Sequence, residues 1–336
     1  MSILFLNNCA SLTFSHSQPV NGIKSVLNTE CFLQGDSFNI SCEVKGDVTS
    51  SEEVVVDFGT LKKSIVHIID SLLDHRYWCF DQSLEYRVDS LGRDMVVVKS
   101  SKFNAVVPHN AVFDVMLWAD KNWDALNQDS KDFMLGVPTH LVSKKYLRHL
   151  INIILSIELQ KVYPDINLAV GVYINGDSNT PHLCGLNTVH NRGIRYTHGL
   201  EHSTSIPCRN PIHGHKSFIY LHATYERKNT GINQLATQRQ VCASLWRQFN
   251  HAVFVNKQHT KVFDNGDVKV SYTVDGIYYD VIHSHEANIH QLDGETTIEN
   301  LIEYICSHVD LNVLRDSGIK AISISEGINK GAVKYL

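Results

Sequence analysis

At 336 residues and 43% apolar content, the chain is long enough for two ordinary domains, each with a core of its own. A net charge of −5, with acidic and basic residues mixed along the chain, offers neither a nucleic-acid footprint nor a membrane-surface patch. No apolar run approaches a membrane span, the apolar residues 1–6 are too short for a signal sequence, and the eight cysteines lack Cys-x-x-Cys spacing; the chain reads as cytoplasmic, with reduced thiols of which Cys9, Cys42, Cys79 and Cys242 are structural.

In chain order, residues 4–14 read as a strand ending Phe14-Ser15-His16, and 31–44 as a second strand with a polar start. A turn at 50–53 leads through Val54-Val55-Val56-Asp57-Phe58-Gly59 into a helix. Its apolar positions are Leu61, Ile65, Ile68, Ile69 and Leu72, and it closes on Leu73-Asp74-His75. A hairpin turns at Asp89-Ser90-Leu91-Gly92, with 95–98 and 103–107 as strands. A partly helical stretch, 118–131, precedes a second helix at 143–159, opened by Pro138-Thr139, and a closing strand at 168–174. Residues 175–192, rich in Asn, Gly, Pro and Thr, read as a linker.

The same order then begins again. Residues 194–198 match 12–16, and 208–220 match 31–42. The helix 238–249 ends in Phe249-Asn250-His251 where the first ended in Leu73-Asp74-His75. A hairpin turns at Asp264-Asn265-Gly266, with 268–272 and 277–282 as strands. Thr296-Thr297-Ile298-Glu299-Asn300 opens the next helix, and the strand 321–325 carries Glu326 at its end. Two copies of one ββα(ββ)αβ unit account for nearly the whole chain, so the class is α+β.

The chemistry concentrates in Cys208-Arg209-Asn210-Pro211-Ile212-His213-Gly214-His215. Side chains alternate along a strand, so His213 and His215 share a face, and Gly214 between them lets other backbone approach. With His198 on the preceding strand they would form a three-imidazole zinc site with an open fourth position, the form a catalytic zinc needs. The plainer alternative is a pair of core histidines, for the chain has 19 histidines and a second such pair at His283 and His285.

Taken together, these motifs resemble the tunnelling-fold (T-fold) pterin enzymes, 6-pyruvoyl-tetrahydropterin synthase and the 6-carboxytetrahydropterin synthase of the queuosine pathway. The family's landmarks run in order: Phe-x-x-His, a cysteine before His-Gly-His, Asp-Phe before a helix, Leu-Asp-His at its end, Pro-Thr-x-Glu-Asn, and a late strand with Glu. The second copy supplies His198, Cys208, His213-Gly214-His215, Thr297-Ile298-Glu299-Asn300 and Glu326, and the first supplies Asp57-Phe58 and Leu73-Asp74-His75. The resemblance implies two tandem T-fold units, each an antiparallel sheet with two helices on one face, at 1–176 and 193–336 with 177–192 as linker.

It also implies a zinc-dependent lyase that converts 7,8-dihydroneopterin triphosphate to 6-carboxy- or 6-pyruvoyl-tetrahydropterin, with one zinc per chain on His198, His213 and His215. Cys208 would be the general base, an Asp–His pair would move the second proton, and Glu326 and Thr297 would bind the pterin. Active sites of the family form between subunits, which implies a homo-oligomer whose partner is a small-molecule pterin triphosphate, with no nucleic acid or membrane involved.

The copies depart from the pattern in complementary ways. In the first, His-Gly-His has become Gln34-Gly35-Asp36, leaving His16 without imidazole partners, and Tyr173 stands where the late glutamate belongs. In the second, Asn250 replaces the aspartate before His251. A shared site would therefore combine Asp74 and His75 of the first copy with the zinc, Cys208 and Glu326 of the second. In the alternative, the first copy is structural and His251 alone serves the second. Arg192, Arg195, Arg209 and Lys216 lie near the motifs with charge suited to the triphosphate. The contrasting function is a pterin- or purine-binding scaffold or sensor without turnover.

Overall fold

The computed structural model describes residues 2–6, 12–21, 31–46, 58–80, 84–100, 103–136, 144–175, 183, 186–224, 232–326 and 331–336. Cys9, Asp57, the turn at 50–53 and Val137-Pro138-Thr139 lie outside them, as do the side chains of His16, Gln34 and Tyr173. The first half runs β1 (Ser2–Leu6), β2 (Leu12–Asn21), β3 (Cys31–Gly46), α1 (Phe58–Leu72), β4 (Arg76–Cys79), β5 (Leu84–Val88), β6 (Asp94–Lys99), β7 (Phe103–Pro108), β8 (Val112–Asp114), α2 (Val115–Lys121), α3 (Gln128–Leu135), α4 (Lys144–Val162) and β9 (Ala169–Asn175). The second half continues with β10 (Leu186–His198), β11 (His213–Thr224), α5 (Ile232–Phe249), β12 (Ala252–Asn256), β13 (Thr260–Val262), β14 (Val268–Val274), β15 (Ile277–His283), β16 (Asn288–Leu292), α6 (Ile298–Ser307), α7 (Leu311–Asp316), β17 (Ile319–Ser325) and β18 (Gly331–Tyr335). The protein is mixed α+β, and no described helix is long and apolar enough to cross a membrane.

Two sheets are laid out alike. In the first, β2 and β3 form a long antiparallel hairpin, β9 lines the far edge of β3, and β4 then β8 add in parallel beside β2. In the second, β10 and β11 form the hairpin, β17 lines β11, and β12 then β16 add in parallel beside β10. Period-two alternation divides each sheet between two cores. Phe38, Ile40, Cys42 and Val44 of β3 pack on α1 and α4, whose Leu61, Ile65, Ile68 and Ile69 form the apolar stripe read from the sequence. Ala252 and Phe254 of β12 join the equivalent core under α5 and α6, while Val253 and Val255 turn the other way.

Several boundaries differ from the sequence reading. The single strand 4–14 is two strands, β1 and β2, which follow one another along β3. Residues 186–192 of the expected linker are the start of β10, which pairs with β11 through a bulge between Thr188 and His190. Helix α5 starts at Ile232 rather than 238; its first turns are solvent-facing and carry no apolar period to read. The two hairpins do not stay with separate copies. Strands β5, β6 and β7 join β15, β14 and β13 in one six-stranded sheet through the β7–β15 pairing. That sheet closes a third core, in which Val96, Val98 and Val107 meet Tyr272 and Val281, together with Tyr77 of β4 and Val253 of β12.

The register also moves one sequence match by two residues. His198 stands opposite His213, and Tyr196 opposite His215. In the first sheet the positions opposite Gln34 and Asp36 are Gln18 and His16. His16 pairs in parallel with Arg76, as Tyr196 does with Ala252. The place corresponding to His198 is therefore Gln18, not His16.

The two sheets touch backbone to backbone where β3 crosses β11. A Cβ on Gly214 would lie 2.6 Å from Gly35 Cα and 2.6 Å from Tyr196 O, and one on Gly35 would lie 2.5 Å from Gly214 C. Gly35→Ala should therefore destabilise the protein by about 3 kcal/mol or more, because backbone cannot step aside as a side-chain end can; the shift in the urea midpoint measures it.

Burial also sets an acid limit. His222, hydrogen-bonded to Ser323 Oγ (2.7 Å), and His283 are both pushed down to about 4 by desolvation. Above about pH 6.5 both are neutral whether the chain is folded or not, so their contribution is complete. As pH falls from 6.5 towards 4 the unfolded chain takes up protons that the folded one excludes, and stability drops by on the order of 2–3 kcal/mol for each histidine. Urea titrations at pH 7 and pH 4.5 should show the drop, and His222→Gln should reduce it.

Candidate active site

The alternation that turns Ile194 and Tyr196 towards the helical core also carries His198 at the end of β10, and the row ending in Ile219 and Leu221 on β11 begins with His213 and His215. All three histidines are buried, and one ligand nitrogen of each lies within 4.8 Å of the others. Two of the rings are oriented by backbone carbonyls. His198 Nδ1 donates to Thr296 O (3.0 Å) and His213 Nδ1 to Asn210 O (2.6 Å). A carbonyl can only accept, so Nδ1 carries a proton in both rings, and Nε2 is the nitrogen each can offer to a metal. Two rings oriented this way, with the buried His215 ring beside them, are a donor set that fits zinc and leaves a coordination position over.

The first half supplies the next groups. Helix α1 ends as Leu73 N and Asp74 N both donate to Ile69 O, and His75 follows with a left-handed φ of 56°. That turn brings the His75 ring to 5.4 Å from His213 and 6.3 Å from His215, centroid to centroid. His75 Nδ1 donates to Asp74 Oδ2 at 2.8 Å, and the ring also hydrogen-bonds Cys208, which lies half-buried on the short 3-10 turn Ile206–Arg209. Burial alone would lower the His75 pKa, but the bonds to Asp74 and Cys208 outweigh it and raise it to about 10. Glu326, at the end of β17, puts Oε1 4.0 Å from His198 Nε2.

The other residues singled out from the sequence lie elsewhere. His251 repeats the pose of His75, with φ 62°, yet faces Arg195 and Asp36. Burial, then the Arg195 charge, push it down to about 4. Thr297 is the N-cap of α6, its hydroxyl accepting from Asn300 N. The four cations near the motifs have partners of their own: Arg209 pairs with Asp275 (2.6 Å), Arg195 with Asp36 (3.3 Å), Arg192 lies over Trp246 and Lys216 over Phe218. Among the described cysteines, Cys42, Cys79, Cys242 and Cys306 are buried and outside any disulfide.

Sequence reasoning missed two residues. Thr296 is fully buried; besides its carbonyl contact to His198 it donates from Oγ1 to Gly199 O at 3.1 Å. Asn210 joins the halves: its Nδ2 donates to His75 O (3.1 Å) and Ala111 O (3.0 Å), its Oδ1 accepts from Ile212 N, and its carbonyl holds His213. The Asn-Pro pair at 210–211 signalled a turn, but nothing in the sequence said which carbonyls it would reach.

Among solved structures, the chain is similar to a 6-pyruvoyl tetrahydropterin synthase of Plasmodium falciparum, at 14% identity and TM-score 0.31, covering 45% of this chain and 100% of that one. It is likewise similar to the enzyme of Plasmodium vivax, at 11% identity and TM-score 0.31, covering 45% of this chain and 95% of that one. A catalytic residue mutant of the P. vivax enzyme gives 12%, 0.32, 45% and 98%. No family model and no curated protein matches the chain.

Asn210→Ala should cost about 2–4 kcal/mol, since it strands the buried carbonyls of His75 and Ala111 and frees Ile212 N. Urea unfolding measures that cost. In the variant that still folds at low temperature, zinc affinity should fall roughly tenfold or more through the loosened His213.

Proposed function

We propose that this chain is a zinc-dependent lyase acting on 7,8-dihydroneopterin triphosphate and forming a 6-carboxy- or 6-pyruvoyl-tetrahydropterin, built from two fused T-fold units. The observation that carries the reading is the meeting of Cys208 and the Asp74–His75 pair beside the three-histidine cluster, with the pair drawn from one half and the cluster from the other. The shared pairing order of the two large sheets supports the fused-unit reading, with the second unit starting at β10 instead of after a linker to 192. The proposal includes a homo-oligomer in the cytoplasm, with the pterin triphosphate as its small-molecule partner.

His198, His213 and His215 would hold the zinc, which when bound supplies Lewis-acid polarisation of oxygens on the substrate side chain. Cys208, half-buried beside His75, removes a proton from the side-chain carbon placed against it, and hydrogen bonding to a cationic imidazole favours its thiolate form. His75, protonated at neutral pH, returns a proton to the carbon or oxygen that gains electron density. Asp74 fixes the ring through Nδ1 and stabilises its charge. Glu326, largely buried at the edge of the cluster, accepts two parallel hydrogen bonds from the 2-amino and ring N–H of the pterin.

Turnover of 7,8-dihydroneopterin triphosphate, followed by product analysis, tests the reading. Cys208→Ala and Asp74→Asn should each keep zinc and fold while turnover falls steeply, by up to about 10⁴-fold for the aspartate. His213→Ala should lose the cluster's zinc and all turnover. His251→Ala should leave the rate within a few fold. Retention of pterin without product in the unaltered protein would instead indicate a binding protein.

A further inference from the structure

A second group of metal-type side chains starts one residue before Thr296, at Glu295. Glu201 and His202, on the loop after β10, and Glu295 bring one ligand atom each within 4.8 Å of the others, and His259 at the end of the 3-10 turn Lys257–His259 adjoins both carboxylates. His259 Nε2 lies 2.5 Å from Glu201 Oε2 and 4.0 Å from Glu295 Oε1, and His202, an exposed ring at the rim, puts Nε2 3.7 Å from Glu201 Oε2. Both carboxylates are largely withdrawn from water, at 16% and 17% exposure. They stand against buried Tyr272, whose hydroxyl is raised well above its usual range by burial and then by the charges of Tyr279, Glu295 and Glu201. Among the described residues neither carboxylate has a Lys or Arg partner; Lys257, close by in sequence, pairs with Asp293. Glu295 Oε2 is shut off from solvent with no protein donor among the described residues, while Oε1 receives only a long bond from Asn256 Nδ2 (3.4 Å).

We propose that Glu201, Glu295 and His259, with His202 as fourth ligand, form a second metal site. Two carboxylates held this close repel unless one takes a proton or a cation meets both, and His259, 2.5 Å from Glu201 but 4.0 Å from Glu295, meets only the first. The imidazoles select the occupant: calcium and magnesium take oxygen ligands, whereas a set of two carboxylates and two imidazoles suits a borderline divalent transition ion such as zinc. With four protein ligands the site is closed, so its role is structural. It pins the loop that carries Cys208 and Asn210 to the 257–259 turn and to the segment that carries Thr296. The site stands independently of the pterin reading, because none of its ligands belongs to the three-histidine cluster.

The test is a zinc count on the full-length chain, stripped with chelator, re-equilibrated with Zn²⁺ and measured by plasma mass spectrometry. The unaltered protein should hold two equivalents, Glu201→Gln/Glu295→Gln one, and His213→Ala one. In the His213→Ala background, Co²⁺ should still give a tetrahedral visible spectrum, and adding His259→Ala should abolish it. That combination decides the matter should the glutamine variant fail to fold. A single equivalent in the unaltered protein that the glutamine changes leave in place would overturn the site. So would a cobalt spectrum that survives His259→Ala, or a count of two in the glutamine variant.

Discussion

Two β-sheets can approach until their backbones touch only where neither carries a side chain, and here that happens once among the described residues, at Gly35 and Gly214. The rest of the site follows from this crossing. It lays the Gln34-Gly35-Asp36 segment of one hairpin across His213-Gly214-His215 of the other, so the end of each hairpin lies beside the far half of the chain. The helix end that carries Asp74 and His75 then reaches the histidines of β10 and β11 within one chain. A side chain at either glycine would open the sheets and separate the imidazole that carries the proton from the imidazoles that would hold the metal.

Much of this was legible in the sequence because period and spacing are local properties. The stripe from Leu61 to Ile69 marked α1, the turns at Asp89–Gly92 and Asp264–Gly266 marked hairpins, and the His-x-His spacing put His213 and His215 on one face. What failed to show was set by pairing over long separations. Nothing local says that β7 will pair with β15, or that β1 and β2 will share one edge of β3. The two-residue displacement that puts Gln18 in the place of His198 is of the same kind: Phe-x-x-His fits by eye at residue 16, but the hydrogen-bond register decides which residue stands at the site. Asn210 and Thr296 escaped because their contribution is a carbonyl or an amide reaching across the fold, and any residue type has a carbonyl.

The two hairpin ends have become chemically unlike within one geometry. At the second, three imidazoles bring one ring nitrogen each within 4.8 Å of the others, an arrangement suited to a metal ion. At the first, Asp36 is buried and its charge is met by the Arg195 guanidinium, so positive charge is built into the protein where the other end leaves room for an ion. An ion pair whose arginine is still partly in water adds little net stability. Its effect is to close that end, since a carboxylate already held by arginine is a poor ligand.

The same divergence reaches the two histidines that follow the helices. His75 and His251 share a left-handed backbone, with φ 56° and 62°, just after α1 and α5, so the fold gives both residues one backbone conformation. The residue before each ring differs. Asp74 accepts from His75 Nδ1 and lends the ring its charge, and with Cys208 beside it the imidazole is raised to about 10. Asn250 spends its side-chain oxygen on Arg195 N at 3.0 Å, and His251, buried and facing a guanidinium, is lowered to about 4. One ring is thus kept cationic across the neutral range and the other neutral. On the proposed reading, the ring that holds its proton near pH 7 beside a thiol is the one suited to return a proton to a substrate carbon. On that reading, the exchange of one carboxylate for one amide separates two histidines of like backbone, and the charged one is the one beside the three imidazoles.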